Sequence, residues 1–115
     1  MLVKLQSHGV DLARVLERQV ERRLRLVLGA SAACVRRATV DLHDVDGPHG
    51  GAGQRCSVRV ALSPSGSVRT EATDPDLLIA LERAADRARR SIRRAVERRR
   101  NGWTPGGRGG RKNGA

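Results

Sequence analysis

The sequence contains no tyrosine and no phenylalanine, and Trp103 is its single large aromatic residue. Base stacking on aromatic rings, the usual platform for unpaired RNA, is therefore nearly excluded, and the core has to be assembled from Leu, Val, Ile and Ala. Cysteine is scarce too. Cys34 and Cys56 lie far apart and make no CxxC spacing, which favours two small apolar residues of a reducing compartment over a disulfide. No apolar run approaches the roughly 20 residues of a membrane span, and the N-terminus lacks the apolar core of a signal peptide. A cytoplasmic protein with no membrane partner is expected. Acids are also few: 12 Asp and Glu face 23 Lys and Arg, for a net charge of +11 over 115 residues. A soluble chain this basic usually meets polyanions. Within that excess only Lys4 and Lys112 are lysine, a skew that genomic base composition can produce, so the sign of the charge is the firmer clue.

What is present orders itself along the chain. In "VKLQ" (3–6) Val3 and Leu5 share one face of a short strand, and "SHGV" with Gly9 makes a turn. From Arg14 to Leu28 the apolar positions Leu16, Val20, Leu24, Val27 and Leu28 recur at helical spacing, and Gly29 ends the helix. From Val35 the period becomes two. Ala38, Val40 and Leu42 face a core while Arg37, Thr39, Asp41 and His43 face out; Cys56, Val58, Val60 and Leu62 repeat the pattern, and so do Val68, Thr70 and Ala72. "SPSG" (63–66) is a tight hairpin and "DVDGPHGGAG" (44–53) a longer Gly-rich loop.

A final helix opens at "TDPD", where Thr73 or Asp74 can cap it and Pro75 suits its first turn, and it stops near Asn101 and Gly102. Its buried stripe, Leu77, Leu81, Ala84 or Ala85, Ala88, Ile92 and Val96, is narrowed by alanines that let it lie close to a sheet. Residues 101–115, "NGWTPGGRGGRKNGA", are too rich in Gly and charge to bury anything, so a disordered tail is expected after one domain spanning residues 1–100. The order β-α-β-β-β-α predicts an α+β fold like that of a double-stranded-RNA-binding domain. In it a four-stranded mixed sheet has strands one and two parallel, and both helices pack on one face and leave the other wet.

The densest constellation is "RAADRARRSIRRAVERRR" (83–100), with nine arginines. Taken against the buried stripe, Arg83, Arg87, Arg90, Arg94 and Arg98 share one helical face as a basic ridge, and Arg89, Arg93, Arg99 and Arg100 widen it. Solubility alone is served by mixed charges, and like charges at i,i+4 cost helix stability, so a polyanion-contact surface is expected: guanidinium groups pairing with phosphates, sensitive to salt and reading little sequence. Arg14, Arg18, Arg22 and Arg25 form a second row on the first helix, partly neutralised by Glu17 and Glu21. Other chemistry finds no footing. His8, His43 and His49 with Cys34 and Cys56 have no metal-ligand spacing, and "GPHGGAG" lacks the lysine of a phosphate loop and precedes a strand. No nucleophile–base pair can be placed, so neither an enzyme, a cofactor, a metal nor a small-molecule substrate is expected.

Two stretches resemble one family. "VKLQSHGVDLARVLERQVERRL" (3–24) has the opening rhythm of the ribosome hibernation-promoting and ribosome-associated inhibitor proteins, also known as sigma-54 modulation or ribosomal subunit interface proteins; Val10, Leu12, Leu16, Val20 and Leu24 meet it. "DLLIALERAADRARRSIRRAVERR" (76–99) resembles the family's D-x-Y-x-A-I-D-x-x-x-D-K-L-x-R-Q-L helix through Asp76, Ala80, Leu81, Glu82, Asp86, Arg87, Arg90 and Ile92, with Leu78 in place of the Tyr. The resemblance is to the family's short form, without the second domain by which long members pair ribosomes. It implies a monomer when free that binds the small ribosomal subunit, and thus ribosomal RNA, in the channel for messenger RNA and tRNA, inhibiting translation by occupancy under stress. Family basic positions fall on Arg23, Arg87, Arg90, Arg94 and Arg98; with Arg83 of the ridge these are the expected RNA-binding residues. Charge alone leaves open a general duplex RNA or DNA-binding module, or a protein that docks an acidic protein partner.

Overall fold

The computed structural model describes residues 1–8, 12–46 and 52–101. In chain order these form strand β1 (Leu2–His8), helix α1 (Arg14–Leu28), a 3-10 helix (Gly29–Cys34), strands β2 (Val35–Asp46), β3 (Ala52–Leu62) and β4 (Ser67–Asp74), and helix α2 (Leu77–Arg100). The sheet order is β1-β2-β3-β4, with β1 parallel to β2 and the other neighbours antiparallel. This is the α+β architecture that the change of period from 3.6 to two anticipates.

Pairing fixes what faces the helices. Val3, Ala38, Val60 and Val68 align in one row across the sheet, and Leu5, Val40, Val58 and Thr70 in the next. Val20, Leu24 and Leu28 of α1 and Leu81, Ala84, Ala85, Ala88 and Ile92 of α2 close over these rows, nearly all fully buried. Alanine decides how close α2 comes. At Ala84, Ala85 and Ala88 only a methyl group stands between backbone and sheet, and the Thr70 hydroxyl on β4 reaches the helix and donates to the Ala84 carbonyl at 2.7 Å.

Several boundaries differ from the expected ones, each for a backbone reason. β1 runs on through His8 because Ser7 and His8 pair with Leu42 and His43, so the first half of the expected turn at "SHGV" is strand, and Gly9 and Val10 lie outside the described residues. Gly29 keeps helical dihedrals (φ −57°, ψ −39°), and the chain tightens into the 3-10 helix instead of breaking. Both ends of the expected Gly-rich loop are strand: Asp44, Val45 and Asp46 pair with Gln54, Gly53 and Ala52, and residues 47–51 lie outside the described residues. At α2 the cap is Asp76, not Thr73 or Asp74. β4 pairing extends to Asp74, whose Oδ2 accepts from the Asp76 amide at 2.8 Å, and Asp76 Oδ1 accepts from Leu78 and Ile79 at 2.9 and 3.4 Å. Pro75 thus precedes the helix. The expected tail begins at Asn101, which caps α2 through its amide to Glu97; residues 102–115, Trp103 among them, lie outside the described residues.

The β3–β4 hairpin is fastened to the far end of α2. Ser63–Pro64 is a cis peptide, and Gly66 sits at φ +100°, where a Cβ would also come within 3.2 Å of Arg99 Nη2. Arg99 donates to the carbonyl of Ser63 at 2.9 Å and to that of Ser65.

Two substitutions test this frame by urea or thermal unfolding. Asp76→Ala should cost about 1 kcal/mol through loss of the helix cap. Ala88→Leu should cost about 1–3 kcal/mol, because α2 has no room to back away from the sheet.

Candidate nucleic-acid interface

Successive helical residues turn by about 100°, and with the alanine stripe held against the sheet the arginines of α2 divide into two flanks. Arg83, Arg87, Arg94 and Arg98 lie on the flank beside β4, and Arg90 stands nearer the crest; all five are exposed. Side-chain bonding agrees with the phase. Arg83 Nη1 is 3.4 Å from Asp74 Oδ1, Arg87 Nη1 donates to the Glu71 carbonyl at 2.7 Å, and Arg94 Nη2 reaches Ser91 Oγ at 3.3 Å. Arg94 and Arg98 line a groove with Ser67, Arg69 and Ser91 along the β4 edge. The ridge expected from spacing is thus a real surface, bonded lightly enough to leave the Arg83 and Arg90 side chains 58% and 55% exposed.

The four arginines expected to widen this ridge do not. Arg89, Arg93 and Arg100 fall on the opposite flank, where with Ser31 and Cys34 they line a depression beside the 3-10 helix. Arg99 is turned under the helix onto the hairpin. The crest between the flanks carries Asp86 and Glu97. Hydrogen bonding from Arg89, reinforced by the charges of Arg89 and Arg90, holds the Asp86 carboxyl below its ordinary range, so at neutral pH it is an anion that partly spends both arginines.

Arg23 stands apart from the other expected contact residues. It forms an ion pair with Glu82, which ties α1 to α2 on the side away from the β4 flank. Of the local neutralisation expected on α1, the Glu21–Arg25 pair is present at 3.7 Å while Glu17 makes no ion pair among the described residues, and Arg25 also donates to the Met1 carbonyl at 3.3 Å.

Sequence inspection missed a histidine pair. In the parallel β1–β2 register His8 stands beside His43, their rings stacked with centroids 4.5 Å apart, and His8 Nε2 lies 3.5 Å from Asp41. Only the register could have revealed it. Among the described residues no group of three or more His, Cys, Asp or Glu could hold a metal, and His49 lies outside them. Both cysteines are free thiols: Cys34 is half-buried, whereas Cys56 is buried and its pKa is pushed up to about 12, chiefly by burial and then by the Asp41 carboxylate. No helix among the described residues is long and apolar enough to cross a membrane.

The β-α-β-β-β-α order, the mixed sheet and the cations massed on α2 define a class of small basic α+β domain. Solved structures share this fold. A ribosomal subunit interface protein from Coxiella burnetii superposes with a TM-score of 0.71 at 13% identity, over 84% of this chain and 99% of that one. The N-terminal domain of Thermus thermophilus Protein Y gives 0.66 at 27% identity, over 83% and 99%. No curated protein matches. The family described as sigma 54 modulation protein / S30EA ribosomal protein matches residues 3–100, and the chain belongs to that family.

Between pH 9 and 11 this tyrosine-free, lysine-poor protein has few groups to titrate. Because the folded-state pKa of Cys56 lies above its ordinary 9.0, its contribution to stability is complete below pH 9 and is lost as pH rises toward 12. Unfolding free energy should fall by about 1.4 kcal/mol per pH unit in that window, and Cys56→Val should flatten the fall in parallel urea titrations.

Proposed function

We propose that this protein is a ribosome-binding hibernation factor. It occupies the channel of the small subunit where messenger RNA and tRNA lie and so blocks translation without chemistry. The observation that carries the reading is the β4 flank of α2: Arg83, Arg87, Arg90, Arg94 and Arg98, all exposed, on a chain of the sigma 54 modulation / S30EA family. Its structural neighbours bear the names ribosomal subunit interface protein and Protein Y. Guanidinium groups spaced along four helical turns match a phosphate backbone in charge and in bidentate geometry. Arg23 takes part from the other side of α2, where exchange of its Glu82 partner for a phosphate would free it to bind. The protein works in the cytoplasm as a monomer and requires no cofactor.

Binding of this kind weakens steeply with salt. The protein should co-sediment with small subunits at moderate salt and be released at high salt. Arg87→Glu with Arg94→Glu should weaken it on the order of a hundredfold, as two charge-assisted hydrogen bonds to phosphate disappear. Unchanged sedimentation of that double variant would remove the β4 flank as the contact surface. Equal affinity of the wild type for random duplex RNA would instead assign a general nucleic-acid-binding role.

A further inference from the structure

The sheet face that the helices leave open carries a second set of cations. Lys4 of β1, Thr39 of β2, Arg59 of β3 and Arg69 of β4 stand in one row across all four strands, and Arg37 occupies the neighbouring row with Leu2, Ala61 and Ser67. The floor between them is built of short polar side chains. Thr39, Asp41 and Ser57 are only 8%, 8% and 5% exposed although they face away from the core, because the longer side chains around them rise above them. Arg37, Thr39, Arg59, Ala61, Ser67 and Arg69 line a depression of about 350 Å³ there.

The charge on this face is not balanced. Among the described residues its acids are Asp41 and Glu71, and both are engaged: Asp41 with Arg59 at 3.0 Å and His8 at 3.5 Å, Glu71 with Ser57 at 3.1 Å and Arg69 at 3.9 Å. Lys4 and Arg37 have no acidic partner among the described residues. Arg59 stands directly opposite Arg69 in the antiparallel ladder, an arrangement of like charges that costs sheet stability. A face built for solubility alone would alternate the signs. Ser67 and Arg69 line not only this depression but also the groove at the β4 edge shared with Arg94 and Arg98, so the sheet face and the helical flank form one continuous basic surface around that edge.

We propose that the open sheet face is a second phosphate-binding surface for RNA, which grips a backbone segment passing around the β4 edge from the helical flank. The partner is structured RNA held by its phosphates. The only rings on this face among the described residues are those of His8 and His43, already stacked on each other, which leaves no aromatic platform for unpaired bases. This proposal rests on the reading of the helical flank as an RNA-contact surface and adds to it a second side.

The test uses the full chain and purified small ribosomal subunits, with dissociation constants measured over a range of salt. Lys4→Gln, Arg37→Gln and Arg69→Gln together leave the Asp41–Arg59 pair intact. The triple variant should bind at least tenfold more weakly at moderate salt. Its slope of log Kd against log salt should be shallower by roughly 2.7, at about 0.9 for each duplex phosphate that is no longer neutralised. Thermal unfolding should show a midpoint no lower than that of the wild type, and lysine at positions 37 and 69 should restore most of the affinity. If the wild type shows no salt-dependent binding at all, the reading of the helical flank falls. If the wild type binds and Arg87→Glu with Arg94→Glu weakens it, while the triple variant keeps both affinity and slope, the sheet-face proposal alone is overturned. A triple variant that keeps RNA affinity but no longer binds an acidic protein partner overturns it equally.

Discussion

The charged surface of α2 depends on how closely that helix can approach the sheet. Ala80, Ala84, Ala85 and Ala88 remove the bulk that would hold a helix away, and the Thr70 hydroxyl bonds directly to the helix backbone at Ala84. That bond sets the rotation of α2 about its axis as well as its distance. Once the stripe is seated, each of the nine arginines from Arg83 to Arg100 has a direction, and nearest-neighbour interactions decide what it can do there. A core built without tyrosine or phenylalanine is thin, and the same thinness that keeps α2 close keeps its arginines near the β4 edge.

The arginines that result have different duties although they are alike in composition. Arg99 anchors the β3–β4 hairpin, Arg23 joins the helices through Glu82, and Arg89 is largely spent on Asp86. On exposed residues such contacts contribute little to stability. Their effect is on the geometry of charge. They turn some cations inward or toward neighbouring acids and leave the arginines of the β4 flank exposed.

Periodicity made the element order, the strand faces and the buried stripes legible, because each follows from which residues are apolar. Val40, Val58 and Val60 had to point one way and Thr39, Ser57 and Arg59 the other. What was not legible depends on partners distant in the chain. Asp76, not Asp74, caps α2 because Asp74 is held in the ladder by Gln54, and β1 continues to His8 because Leu42 and His43 are there to receive it. The ridge itself, Arg83 to Arg98, follows from spacing against the alanines. Arg89, Arg93, Arg99 and Arg100 do not broaden it, since counting arginines ignores that two residues a few positions apart can face opposite sides of a helix. The cations of the open face are hidden in the sequence for a related reason: Lys4, Arg37, Arg59 and Arg69 are scattered through the chain, and only strand register assembles them into a patch.

The crest of α2, where Asp86 and Glu97 separate the two arginine flanks, makes the electrostatic field of the domain lobed rather than cylindrical. In the RNA binding proposed above, a polyanion approaching α2 would meet arginines on two flanks, with the acids of the crest weakening the attraction between them. Such an uneven charge would turn the protein during that approach until one flank leads. Part of the orientational search that slows most macromolecular association is then completed before the two surfaces touch. Two carboxylates placed among arginines would thus act on the rate and direction of the proposed encounter, although each of them, taken alone, subtracts from the attraction.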